Sequence, residues 1–269
     1  MDGPNLVRKG AAAVLAAAIC AWLSTLGQVA GRAGLVAAGS EGSLPAAPGP
    51  KPKPKKPPPD CGRVKCLALT FDDGPAESTG ELLGILASRN VKATFFLIGE
   101  NAAKYPELVR RELQGGHEVA DHSYTHADLG RAPRKKILSE LTRTQDAIRR
   151  ASGFTPVMLR PPYGSTSKRL TEITRNMGLA QVMWTVDPAD WEHRDTKYVE
   201  RRVLKSAKPG AIVLMHDIHP TTVRAVPKII DGLAAQGYVF VTVSELFGGR
   251  LTPGEEYVRR NSGDAQGLP

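Results

Sequence analysis

Cysteine is scarce in this chain, three in 269 residues, which excludes a small scaffold stapled by disulfides. Aromatic residues make up only 6 % and are not interleaved with the basic ones. The stacking rings beside a basic patch that a nucleic-acid partner needs are therefore missing. Long apolar runs are missing after residue 30, so a multi-span membrane protein is excluded. There is no Gly-x-Ser-x-Gly elbow for a serine esterase, and no glycine-rich phosphate loop follows the first candidate strand. Charge is present in both signs but unevenly spread. Residues 1–59 hold seven basic and two acidic residues, whereas the remaining 210 carry 29 and 25. A hydrophobic fraction of 41 % is too high for a disordered chain, and a body of this size buries roughly 70 to 75 % of its unfolded surface as one domain.

The ends are read from composition. Residues 11–30 carry no charge and follow Arg8 and Lys9, the pattern of a secretory signal peptide; their length also suits a spanning helix of ~20 residues. Residues 1–39 are therefore a cleaved signal peptide or a retained anchor, and both place the bulk of the chain outside the cytoplasm, secreted or in the cell envelope. Residues 40–59 are a linker whose run PAAPGPKPKPKKPPP stays extended as polyproline II. Residues 60–250 form the main domain and 251–269 a tail. In an oxidising compartment Cys61 and Cys66 favour a disulfide. A straight strand would hold their Cα atoms ~16 Å apart, beyond the ~7 Å limit, so the bridge demands a tight reversal, which Gly62 permits.

Between these ends, short apolar runs alternate with segments of helical period. Strands are expected at 67–71, 94–98, 118–121, 157–159, 181–186, 212–215 and 239–242. Helices are expected at 81–89, 105–113, 134–151, 168–177, 196–206 and 222–236. Seven strands separated by helices imply a parallel sheet that right-handed crossovers close toward a barrel, with an open doubly wound sheet as the alternative. Trp184, inside a strand, reads as core.

In a βα barrel the active site is built just beyond the C-terminal ends of the strands. Those positions hold Asp72-Asp73-Gly74, His122 with His126, Arg160-Pro161-Pro162-Tyr163, Asp187 through Trp191, and His216. Asp73, His122 and His126 offer one oxygen and two nitrogens, a set suited to a divalent transition metal such as zinc with positions left open. Ser123 stands where a His-Glu-x-x-His protease has its glutamate. Asp72 is placed to take a proton from water, with Arg160 holding it ionised. His216, expected from across the barrel, is the general acid, and Asp187 orients its ring. The backbone N–H of Tyr163 shares the developing oxyanion.

These ordered segments, Thr70-Phe71-Asp72-Asp73-Gly74, His122-Ser123-Tyr124-Thr125-His126, Arg160-Pro161-Pro162-Tyr163, Asp187 to Trp191 and Leu214-Met215-His216, resemble the five motifs of the NodB-type polysaccharide deacetylases, carbohydrate esterase family 4. The resemblance covers about residues 64–247. It implies a distorted, incomplete (β/α) barrel and a metal-dependent hydrolase that removes acetyl groups from polysaccharides, the metal being zinc, with cobalt or nickel as alternatives. It implies Asp72 as base, His216 as acid, Arg160 and Asp187 tuning them, Trp191 walling the groove and Leu214 lining the acetyl pocket. The expected substrate is N-acetylated glycan, with cell-wall peptidoglycan first; a chitooligosaccharide deacetylase, an acetylxylan esterase and a wall-glycan binding module without turnover are the alternatives.

Overall fold

The computed structural model describes residues 57–249 and 251–261. The export segment and most of the Pro/Lys-rich linker lie outside the described residues, among which no helix is long and apolar enough to cross a membrane. In chain order the elements are β1 (Lys65–Asp72), α1 (Thr79–Ser88), β2 (Thr94–Leu97), α2 (Gly99–Lys104), α3 (Pro106–Gln114), β3 (Glu118–Asp121), α4 (Arg134–Ser152), β4 (Met158–Leu159), α5 (Lys168–Asn176), β5 (Ala180–Val182), α6 (Asp190–His193), α7 (Thr196–Ser206), β6 (Ile212–His216), α8 (Pro220–Ala235), β7 (Tyr238–Phe240), α9 (Val243–Leu246) and β8 (Glu256–Tyr257).

The strands run parallel in the order β6-β1-β2-β3-β4-β5-β8. Alternation along β1 sorts its side chains between two layers. Leu67, Leu69 and Phe71 join the cluster under the helices, while Cys66 and Ala68 point to the barrel interior with Phe96, Ala120 and Met158. Both faces are covered, which is why parallel strands read as continuous apolar runs. One edge of β1 serves two partners, Lys65–Leu67 pairing with β7 and Thr70–Asp72 with β2, while Ala68–Asp72 pair with β6 on the other edge.

The helices follow their apolar period. In α4 the buried residues Ile137, Leu141, Thr144, Ile148 and Ala151 recur every three or four positions, the spacing of one helix face. Each large aliphatic side chain so buried contributes ~1.5–3 kcal/mol. The helix stops at Gly153, whose φ of 76° and N–H to the Arg149 carbonyl at 2.8 Å form a left-handed cap. Side-chain caps start others: Asp195 accepts from the Tyr198 N–H at 2.6 Å to open α7, and Thr242 with Glu245 forms a capping box on α9.

Closure of the barrel is partial. After β5 the chain peels away toward β6, with Thr185 and Val186 N–H both donating to the Ile212 carbonyl and a single parallel bridge from Val186 to Val213. The gap below is filled by the C-terminal segment: β8 pairs with β5, and Arg259 bridges Ala211. The Arg260 carbonyl lies 1.9 Å from where a Cβ on Gly210 would be, so only glycine fits there. Two expectations are corrected here. Residues 251–269 are not merely a tail, since 256–260 belong to the barrel wall, and the fifth strand ends at Val182, not Val186, because β6 and not β4 takes over its pairing.

The Cys61–Cys66 disulfide is formed, with Cα atoms 5.3 Å apart. The reversal it needs is a turn in which Arg63 and Val64 N–H both donate to the Asp60 carbonyl.

Candidate active site

The site sits at the C-terminal ends of the strands, where backbone unsuited to strands takes over. Five residues there that are not glycine hold a left-handed φ: Asp73 at 72°, Ser123 at 61°, His126 at 56°, Tyr163 at 60° and Ala189 at 56°. Each such residue costs ~1–2 kcal/mol, a strain that clusters where geometry matters more than stability. Gly74 belongs to the same turn for a different reason. A Cβ there would lie 2.5 Å from the buried Asp217 carboxylate, whose other oxygen accepts from the Thr79 hydroxyl. Burial pushes the Asp217 carboxyl up to about 7.

Asp73, His122 and His126 converge as expected, their potential ligand atoms all within 4.8 Å of one another. Asp73 Oδ1 lies 3.4 Å from His122 Nε2 and 3.5 Å from His126 Nε2. Both rings are oriented from behind. His122 Nδ1 donates to the Arg160 carbonyl at 2.7 Å, an acceptor-only partner that leaves Nε2 with a lone pair facing Asp73. His126 Nδ1 lies 3.0 Å from the Tyr163 hydroxyl. Burial alone would raise the Asp73 carboxyl, yet the imidazoles beside it, His122 first and then His216 and His126, hold it at about 2. Its Oδ1 is buried with no hydrogen-bond partner, a cost that persists only where something else satisfies the atom. An orphaned carboxylate oxygen facing two oriented imidazoles fits a divalent transition metal.

Arg160 and Asp72 pair inside the barrel, Nη1 to Oδ1 at 2.6 Å, with the arginine wholly buried. The rest of the guanidinium is also engaged: Nη1 donates to Thr70 Oγ1 at 2.7 Å, Nε to the Val182 carbonyl at 3.1 Å and Nη2 to the Met183 carbonyl at 3.0 Å. Its Cζ lies 4.0 Å from the Phe96 ring centroid. A buried charge pair is tolerated when its donors are satisfied in this way, and Asp72 is thereby fixed in one orientation.

His216 departs from expectation in two respects. It does not face Asp72 from across the barrel, because β6 is hydrogen-bonded to β1 and His216 is the register partner of Asp72. Nor is it oriented by Asp187. Its Nδ1 lies 2.9 Å from Asp190 Oδ1, and Asp190 Oδ2 accepts from the His216 N–H and the Thr222 hydroxyl, each at 2.8 Å. Asp187 instead accepts the Ala189 N–H at 2.7 Å, a local turn that helps hold Ala189 left-handed and aims the start of α6. Burial lowers the His216 pKa, but the Asp190 hydrogen bond and charge, with Asp72 and Asp73 behind them, carry it up to about 9. The signal for Asp190 was its place before Trp191, three residues after Asp187, a spacing that by itself does not choose between them.

A cavity of about 450 Å³ joins these groups, walled by Pro161, Tyr163, Trp184, Asp187, Trp191 and Leu214. Trp191 is 50 % and Tyr163 70 % exposed, two aromatic faces at the mouth. Trp184 packs against the interior cluster, as the core reading expects, and its partly buried ring also lines the cavity wall.

Comparison with known proteins agrees with this geometry. Residues 60–182 match the polysaccharide deacetylase family. The peptidoglycan-N-acetylglucosamine deacetylase PgdA of Listeria monocytogenes is 43 % identical over 194 residues, covering 72 % of this chain and 41 % of its own length. The chain thus spans under half of that longer relative. The chitooligosaccharide deacetylase of a Bradyrhizobium strain is 37 % identical over 66 % of this chain and 89 % of its own. Among solved structures, the peptidoglycan deacetylase PdaC of Bacillus subtilis superposes with a TM-score of 0.66 at 40 % identity, covering 69 % of this chain and 91 % of that one.

Proposed function

The chain belongs to the polysaccharide deacetylase family, and on that premise we propose that it is a metal-dependent hydrolase removing acetyl groups from N-acetylated glycan, cell-wall peptidoglycan first. The observation that carries this reading is the placing of two differently held groups in one cavity: the Asp72 carboxylate gripped by buried Arg160, and the His216 imidazole held protonated by Asp190. A proton acceptor and a proton donor facing one cavity supply a base and an acid. Asp73, His122 and His126 would hold the metal, which we take to be zinc, with cobalt or nickel able to replace it. When bound, it supplies Lewis acidity that polarises the acetyl carbonyl and acidifies water.

The chain's own residues do the remainder. Asp72 takes the proton of the attacking water as oxygen bonds to the acetyl carbon. The Tyr163 N–H shares the negative charge that develops on the carbonyl oxygen. His216 Nε2 gives its proton to the sugar nitrogen as the carbon–nitrogen bond breaks, while Nδ1 stays on Asp190; acetate and the free amine leave. Leu214 bounds the space for the acetyl methyl, and the exposed face of Trp191 takes a sugar ring. Arg160 and Asp190 are positioning residues, and Asp187 shapes the loop. The Listeria and Bacillus subtilis relatives are named for peptidoglycan, which supports that substrate and an extracytoplasmic location, secreted or envelope-bound. The Bradyrhizobium relative supports chitin oligomers as the second reading. A non-catalytic wall-binding module has no need of the complete acid and base.

The test is acetate release from peptidoglycan, chitin oligomers and acetylxylan side by side, before and after chelation and on return of each metal. Release from peptidoglycan, lost on chelation with far-UV circular dichroism unchanged, is expected. Glycan binding without acetate release from any of the three would overturn the enzyme reading.

A further inference from the structure

The loop that carries His122 and His126 does not hold itself. Two of its five residues are left-handed, at ~1–2 kcal/mol each. Its carbonyls are gripped from one side: the Gly99 N–H donates to the Ser123 carbonyl at 3.0 Å and the Glu100 N–H to the Tyr124 carbonyl at 3.1 Å. Its N–H groups are gripped from the other side by one carboxylate. The N–H of Tyr124 at 2.8 Å and that of Thr125 at 2.7 Å both donate to Glu140 Oε2, and the Thr125 hydroxyl donates to Oε1 at 3.1 Å. Successive backbone N–H groups in a tight turn make an anion-binding concavity, and here the anion comes from α4.

Glu140 is out of place by helix logic. It is wholly buried in the apolar stripe of α4, between Ile137 and Thr144, where burying a charge is unfavourable without partners. Its partners are the loop and Lys136 one turn earlier, Nζ to Oε1 at 2.6 Å. The residues it clamps, Tyr124 and Thr125, are two of the three between the two imidazoles. We infer that Glu140 is a positioning residue of the metal site: by fixing the backbone between His122 and His126 it sets the separation and facing of their Nε2 atoms. This rests on the reading that those imidazoles and Asp73 hold the metal.

The experiment is calorimetric titration of zinc, and separately cobalt, into the chelator-stripped full chain, with far-UV circular dichroism and Tm taken on each metal-free variant. Glu140→Gln keeps the shape and loses the charge; it is expected to weaken metal binding ~10–100-fold, as loss of an orienting partner does, while the metal-free fold persists. Thr125→Val removes one hydrogen bond to the Glu140 carboxylate from an exposed side chain and is expected to weaken binding about fivefold. Glu112→Gln, a wholly buried carboxyl on α3 that makes no hydrogen bond to the loop, is the control and is expected to leave metal affinity unchanged. A lowered Tm with wild-type metal affinity in Glu140→Gln is what a merely structural role predicts, and it overturns the inference. Should that variant fail to fold, Thr125→Val decides, and wild-type affinity there overturns it equally. A wild-type chain that binds neither metal overturns the functional reading and this inference with it, whereas tight wild-type binding matched by the variants overturns this inference alone.

Discussion

Exchanging Asp190 for Asn removes the charge behind His216 and keeps the shape. In the native site the His216 pKa reaches about 9 against an ordinary 6.5, although burial pulls the other way. Asp190 supplies the largest upward influence through its hydrogen bond and its charge, so Asp190→Asn is expected to lower the imidazole pKa by about two units, or ~3 kcal/mol of preference for the protonated ring. A group near 9 is about 90 % protonated at pH 8, and one near 7 about 10 %, so kcat/KM at pH 8 falls ~10-fold through protonation alone. The assay is the pH dependence of kcat/KM on an N-acetyl sugar oligomer: the alkaline limb moves down by about two units. Stability shifts with it. Because the native pKa is raised, the pair's contribution is fully present below the unfolded value near 6.5 and lost as pH rises through about 9. The Tm deficit of the variant is therefore greatest below pH 6.5 and fades above 9. Asp187→Asn is the companion, expected to leave the limb in place. An unmoved limb in Asp190→Asn, or an equal movement in Asp187→Asn, refutes the assignment.

Asp72 and Asp73 should fail differently. Asp72→Asn is expected to keep metal, lose kcat by ~10²–10⁴-fold and, by leaving Arg160 buried without its counter-charge, lose ~3–5 kcal/mol of stability by denaturant titration; Asp73→Ala should lose metal affinity in calorimetry, and metal lost from Asp72→Asn instead would reverse the roles. His216→Ala should slow release from an N-acetyl sugar far more than from an aryl acetate, whose leaving group needs little protonation, and equal slowing of both at unchanged metal content would speak against an acid. Glu112 has both carboxyl oxygens buried without a partner, and burial, with the Asp217 charge, pushes its pKa well above the ordinary range. Its contribution is thus complete below the unfolded value near 4 and lost as pH rises through the raised native one. Glu112→Gln should flatten that decline, making the variant's Tm equal to or above wild type at pH 8; a variant less stable there than at pH 5, relative to wild type, would count against a protonated Glu112.

Legible in the sequence alone are the alternation of strands and helices, the strand ends on which the site is built, and the gathering of Asp72, Asp73, His122, His126 and Arg160 at those ends. These were legible because they are local: a burial period of two or 3.6 is written in neighbouring residues, and Asp72, Asp73 and Arg160 follow their strands within a residue or so. Tertiary structure decided what depends on partners far along the chain. Beyond Val182 the chain turns from β4 toward β6 because Ile212 captures the N–H groups of Thr185 and Val186, which leaves Trp184 packed against the interior cluster and lining the cavity as well. Asp190, and not Asp187, reaches His216 because a turn closed by Asp187 itself reverses the intervening backbone. His216 lies beside Asp72 and not opposite because β6 docks on β1, a neighbour relation that the order of strands in the chain does not contain. Glu140 breaks the apolar period of its own helix, and its reason, a pair of N–H groups 15 and 16 residues away, exists only once the loop has folded onto α4. Hydrogen bonds and charges act through space, so their partners are chosen by packing, whereas periodicity acts along the chain and can be read before any packing exists.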